Sequence, residues 1–388
     1  MKSYPMLWLV DSELLIILSV VLACAYLYAR MYFFKTSFSL FYKKIISPAA
    51  LCYPILQFIS QKWTELPFWS LNLASLAWGF LIYAAFGFLI LDFSYGICHL
   101  LQNWLFLLDK VKNQITEKGS PTILLSACIL TLIGFWQAME PMIHLSPSIP
   151  CQYSLEGLPN LRIAVVSDIR LQRNQSIESI QHWVREINAL EPDLVLFMGN
   201  LIDDMPSELE KKGLGRCLDE INAPLGCFSI RGAREYAWGA DAVTDYLESH
   251  GVKVLNDEYA SVVDSFYLVG REPLIREKIT NQHRLPLASI MEGLPEKKPI
   301  IVLDSHPLDW REATLIKADL YICGIPTGWS CWPFSYFNIL FFGLKNGLQI
   351  KGKTYLYQTT GYTTQPICAR MGSRPELALL QIRSTSSN

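Results

Sequence analysis

The sequence predicts an α-helical membrane region followed by an α/β domain, and three observations carry that prediction. The chain has 388 residues, enough for two domains. Its 51% hydrophobic content is concentrated before Pro150. After Leu161, short β-branched apolar runs alternate with a helical pattern. The expected organisation is a membrane region over 1–140 with three or four helices, a linker over 141–159, and a folded domain over 160–384.

In the first region, Leu14 to Phe34 carries one charge near its end, and about 20 apolar residues suffice for a helix to cross the hydrocarbon core. Leu71 to Leu91 and Pro121 to Met139 are uncharged and predict two more spans. Phe38 to Ser60 holds Lys43 and Lys44 beside Pro48 and Pro54; it reads as an interfacial helix or a short fourth span. Cys98 to Leu108 continues the second helix with polar residues interspersed. Asp92, at the end of the second apolar run, reads as a helix-end residue at headgroup level. Basic clusters on two different loops leave the side of the C-terminal domain undetermined. The protein is expected in the cell membrane as a multi-pass chain, with membrane lipid as a partner.

Composition excludes several classes. A formal charge of −2 leaves no electrostatic footprint for nucleic acid. The ten cysteines form no CxxC pair, so neither a zinc ribbon nor a thioredoxin motif is indicated. No P-loop, GxSxG elbow or GxGxxG occurs. His144 to Pro159, with Pro147, Pro150 and Pro159, reads as the linker.

Leu161 to Ser167 (LRIAVVS) is a short apolar run, as expected of a strand buried on both faces. Ser176 then caps a helix to Leu190, with Ile177, Ile180, Trp183, Val184 and Ile187 at helical spacing. Asp193 to Met198 is a second buried strand, which makes a parallel βαβ unit. Ligand sites in such sheets collect at the carboxyl ends of strands. There the sequence places Asp168, Gly199-Asn200, Arg231-Gly232, Asp304-Ser305-His306 and Gly324.

The order of these strand ends, with flanking segments such as Ala189 to Asp203, Ala223 to Gly232 and Gly251 to Glu258, resembles the calcineurin-like metallophosphoesterases, particularly their membrane-anchored bacterial branch. The resemblance covers about Leu161 to Leu380 and implies a four-layer αββα sandwich. It also implies a two-metal site built from D-x-H, G-D, G-N-H-D/E, a lone His and G-H-x-H. Here those motifs read Asp168-Ile169-Arg170, Gly199-Asn200, Gly232-Ala233-Arg234-Glu235, Ser305-His306 and Gly324-Ile325-Pro326-Thr327.

The residual metal positions are therefore Asp168, Asn200 and His306. A two-metal hydrolase needs a bridging carboxylate and enough His and Asp donors to hold metals about 3.5–4 Å apart. Asn200 is neutral, Arg170 has no lone pair to offer, and Ile325 and Thr327 remove two imidazoles. Arg170, Arg234 and Glu235 become the candidate ligand-binding residues. Two readings stand open: the arginines hold a phosphate, or each pairs with Asp168 or Glu235 in a vacant site. Asp203 and Asp204 read as loop acids, and Asp304 as a strand-end residue facing away.

The expected function is that of a metallophosphoesterase-like pseudoenzyme that binds a phosphorylated ligand, such as a lipid headgroup, or a protein partner, with no cofactor. The alternative is an active hydrolase holding a single divalent metal (Mn, Fe or Zn) on Asp168 and His306, with help from Asp203, Asp204 or Asp304. The Trp-rich segment Gly328 to Phe342 reads either as core packing or as a surface that touches the bilayer.

Overall fold

The computed structural model describes residues 21–27, 29, 68–101, 108–139, 143–145, 148–151, 160–294, 298–325, 339–362 and 373–384. The expected interfacial segment Phe38 to Ser60 and most of the first expected span lie outside these residues, though residues 21–27 are helical. The chain forms two compact units, residues 1–140 with 364–373, and residues 141–363 with 374–388.

In the first unit two long helices run over Phe68–Leu101 (α1) and Leu108–Met139 (α2). Each contains a stretch long and apolar enough to cross a membrane, Gly79–Cys98 and Gly119–Ala138. Both match the second and third expected spans. Asp92 departs from expectation: it lies inside the first of these stretches, where its carboxylate accepts the Tyr26 hydroxyl. Asp92 is not a helix end, since α1 continues nine residues past it.

The second unit is a sandwich of two sheets. The strands are Ile143–Leu145 (β1), Ser148–Cys151 (β2), Asn160–Val166 (β3), Leu194–Phe197 (β4), Cys227–Ile230 (β5), Val252–Leu255 (β6), Glu258–Val262 (β7), Phe266–Gly270 (β8), Ile300–Asp304 (β9), Leu320–Cys323 (β10), Gly347–Lys351 (β11), Thr354–Gln358 (β12) and Glu376–Ser384 (β13). The first sheet has the order β1-β13-β3-β4-β5-β6, with β2 also paired to β13; the second has the order β11-β12-β10-β9-β8-β7. β3 to β6 are mutually parallel, as are β8, β9, β10 and β12.

Alternation along these strands builds three apolar layers. Leu161, Ile163, Val165, Leu194 and Leu196 face Leu268, Ile301, Leu303, Ile322 and Tyr357 between the sheets. Ala164, Val166, Val195 and Phe197 point the other way, against Ile177–Ala189 (α3) and Ala240–Ser249 (α6). Val302, Tyr321 and Leu356 pack outward against Leu287–Ile290 (α8) and Trp310–Leu315 (α9). The remaining helices are Pro206–Lys211 (α4), Ala233–Ala237 (α5) and Ile275–Thr280 (α7). The result is the expected αββα layering.

Residues 143–145 and 148–151, expected in the linker, are strands that lie along one edge of β13. Pro150 is compatible with a strand there because an edge position needs no second ladder bond.

α3 forms where the sequence placed it. The Ser176 hydroxyl accepts the Ser179 N–H at 3.2 Å and caps the first turn. Ile180, Trp183, Val184 and Ile187 make its buried face. The Trp183 indole N–H is buried without a hydrogen-bond partner, so its area stabilises the helix while its polar atom opposes burial. Trp183→Ala is expected to cost about 3–5 kcal/mol in the unfolding of the solubilised chain, whereas Trp183→Phe, which removes the orphaned N–H and leaves a smaller cavity because an aromatic ring remains, costs less.

Candidate functional site

The carboxyl ends of β3, β4, β5, β9 and β10 converge, and the fold brings the expected residues to them. Asp168 follows β3, Asn200 follows β4, Gly232 to Glu235 follow β5, and Ser305-His306 follow β9. The turns are tight. A Cβ on Gly232 would lie 2.5 Å from the Asn200 side-chain oxygen and 2.7 Å from its backbone nitrogen, so only glycine fits. Asp168, Arg170 and Asn200 take left-handed backbone, with φ of 58°, 55° and 55°. Such conformations in non-glycine residues persist where surrounding contacts fix them. Those contacts are the Asp168 N–H to Gly199 O at 3.2 Å and the Arg170 N–H to Asn200 O at 2.9 Å.

At the centre lies the buried carboxylate of Asp168. One oxygen accepts the Ser167 hydroxyl at 2.8 Å, and the other accepts the Asn200 amide nitrogen at 2.9 Å. The Asn200 amide oxygen accepts the backbone N–H of Arg234 at 3.0 Å. These two contacts together fix which way the amide points. Asn200 therefore presents a donor to Asp168, not an acceptor.

The Arg170 guanidinium is buried between two carboxylates, its Nε 3.7 Å from Asp168 Oδ1 and its Nη1 4.0 Å from Asp203 Oδ2. Arg234 reaches the other Asp203 oxygen, Nη1 to Oδ1 at 3.5 Å. Asp203 also accepts the Trp238 indole N–H at 3.0 Å and the Gln172 amide at 3.1 Å. Two guanidinium groups thus face two carboxylates in a buried setting.

Glu235 takes a different part from the one expected. Its fully buried carboxylate accepts three backbone N–H groups, from Asn200 at 3.0 Å, Ile202 at 3.1 Å and Gly232 at 2.7 Å. Burial pushes its carboxyl up, while these N–H contacts act to hold it down. It pins the β4 turn to the β5 turn, and neither arginine pairs with it in these contacts.

His306 is half-buried beside Asp168. Its Nδ1 is 2.9 Å from the Ser305 hydroxyl. Burial lowers the imidazole pKa, Asp304 and then Asp168 act to raise it, and Arg284 lowers it further. Asp304 faces away, as expected: one carboxylate oxygen accepts Arg284 Nη2 at 2.9 Å and the Tyr321 hydroxyl at 3.0 Å on the outer side of the second sheet. Ile325 is buried, and Pro326 and Thr327 lie outside the described residues.

Gln172 and Trp238 join the site without a motif to mark them. Asp203, which reads from the sequence as a loop acid or an auxiliary metal donor, is set beside Arg170 by the parallel bridge Leu171↔Ile202. Asp204, which reads the same way, holds Arg173 through Nε at 2.7 Å and through the backbone N–H at 2.9 Å. Burial alone would raise the Asp204 carboxyl, and the Arg173 bonds bring it below its usual range.

Residues 161–324 match the family model described as calcineurin-like phosphoesterase. The chain carries a calcineurin-like phosphoesterase domain. A Danio rerio protein named as a transmembrane protein with metallophosphoesterase domain is 25% identical over 272 residues, covering 67% of this chain and 62% of that protein. An uncharacterized metallophosphoesterase of Campylobacter jejuni is 28% identical over 228 residues, covering 58% of this chain and 59% of its own length. The UDP-2,3-diacylglucosamine pyrophosphatase LpxG of Chlamydia trachomatis is 26% identical over 189 residues, covering 46% of this chain and 55% of its own. The chain spans about 60% of the length of the first relatives it matches.

Calcineurin-like phosphoesterases generally use divalent metals, which need a set of converging lone pairs. Among the described residues no group of three or more His, Cys, Asp or Glu side chains could hold a metal ion. At Asp168 both oxygens already meet donors, and Asn200 and Arg170 turn N–H groups toward the space a bridging ligand set would need to fill with lone pairs. A two-metal pair does not fit these residues. Removing the guanidinium while keeping its bulk, Arg170→Met, leaves Asp168 and Asp203 buried without their shared cation. The expected loss is about 3 kcal/mol in thermal or chemical unfolding, and adding Asp203→Asn should recover part of it in a double-mutant cycle.

Proposed function

We propose that the chain is a multi-pass membrane protein whose phosphoesterase domain binds a phosphorylated ligand without two-metal hydrolysis. The observation that carries this reading is the arrangement of the two arginines. Arg170 is enclosed between Asp168 and Asp203, a fixed cation where the family motif has a metal ligand. Arg234 is more open, its side chain 19% exposed, and its backbone is fixed by Asn200. A guanidinium so placed can exchange its contact with Asp203 for phosphate oxygens, in charge-assisted and bidentate hydrogen bonds. Arg170 is then the structural cation and Arg234 the ligand-facing one.

A second reading is supported by the likeness to LpxG and by the nearness of Asp168 to His306: a hydrolase with one metal on those two side chains. The two readings separate in a titration of the full chain in detergent with inorganic phosphate and a phosphomonoester. In the binding reading Arg234→Ala weakens affinity by about 10–100-fold, the loss of one or two charge-assisted hydrogen bonds, while His306→Ala leaves it unchanged. Unaltered phosphate affinity in Arg234→Ala, or turnover of the phosphomonoester that His306→Ala abolishes, would contradict it.

A further inference from the structure

The most exposed large apolar side chains among the described residues of the domain are Leu315, at 81%, and Leu340, at 74%. They lie on α9 and on the turn 339–342, outside the second sheet. Ile350, 61% exposed, and Phe341, 37% exposed, accompany them. Three elements bring these residues together around Trp310, the first residue of α9. Its indole N–H donates to the Phe342 carbonyl at 2.8 Å, which fixes the helical turn 339–342 against α9. Lys351 of β11 lies 5.9 Å from the Trp310 ring centroid. Gly352, just after it, approaches Thr314: a Cβ there would stand 3.5 Å from the threonine methyl.

The exposed charges on and beside these elements have one sign. Arg311, Lys317, Lys345, Lys351 and Lys353 are exposed. The acids are turned inward or engaged with backbone: Asp309 is buried against Arg284 and Arg271, Glu312 accepts the Leu287 N–H, and Asp319 accepts the Ile300 N–H. Residues 339–354 contain no acid. An exposed apolar patch marks an interaction surface, and one ringed by cations fits the headgroup region of an anionic bilayer, where apolar side chains insert and lysines meet phosphates.

We propose that this face, formed by α9, residues 339–342 and β11, docks on an anionic lipid surface. The occupant follows from charge complementarity and from the chain itself, which carries helices long and apolar enough to cross a bilayer. A tethered domain meets its own membrane at high effective concentration, so even a weak surface contact is populated. The proposal does not depend on the phosphate-binding reading, because none of its residues belongs to the strand-end site.

The test uses the full chain in nanodiscs containing a photoreactive lipid, with either phosphatidylcholine alone or about one third phosphatidylglycerol, followed by peptide mapping. Labelling of residues 310–317 and 339–353 is expected in the anionic discs and lower in the neutral ones. The pair K345E/K351E, both exposed positions, should reduce it roughly ten-fold while labelling of 79–98 and 119–138 stays constant as the internal standard. Equal labelling in both lipids, no response to the charge reversal, or cross-links from this face to a second copy or another protein in place of lipid would overturn the proposal.

Discussion

The domain's carboxyl-end site depends on how the negative charge of Asp168 is compensated. A buried carboxylate needs cations or donors around it, since an isolated charge in a low-dielectric interior carries a large desolvation cost. Here the compensation is built from the chain: the Ser167 hydroxyl, the Asn200 amide and the Arg170 guanidinium. Asn200 passes the arrangement on by accepting the Arg234 N–H. Glu235 then clamps the turns that carry both residues through three backbone bonds. Left-handed backbone at Asp168, Arg170 and Asn200 is the conformational consequence of holding the groups this way.

The same logic explains why the fold and the ligand set part company. Strand-end turns are set by glycines and by the sheets behind them, and these are intact: Gly199, Gly232 and Gly324 all sit where a Cβ would meet backbone atoms within about 3 Å. The side chains projecting from those turns are free to change without disturbing the sandwich, provided that the buried charges still balance. The buried Arg170 meets that condition, with Asp168 on one side of its guanidinium and Asp203 on the other.

Much of this was legible in the sequence. The apolar run Leu161 to Ser167, the cap at Ser176 and the strand ends at Asp304 and Gly324 are local signals, and β3, α3, β9 and β10 follow them to within a residue or two. β1 and β2 were hidden because a short segment containing Pro147 and Pro150 carries no strand pattern of its own. Its partner, β13, lies more than 220 residues later. The pairing of Asp203 with the arginines was hidden for a similar reason, since Asp203 is brought to them by a bridge between two loops. Asp92 reads as a helix end because the uncharged run Leu71 to Leu91 stops just before it, whereas α1 continues to Leu101.

The central proposal is that guanidinium and amide donors balance the Asp168 charge in place of metals. Elemental analysis of the purified full chain tests this most directly. The account predicts less than one equivalent of manganese, iron or zinc per chain, unchanged when the metals are supplied during purification. Two equivalents per chain, lost on chelation together with hydrolysis of a phosphodiester reporter, would contradict it.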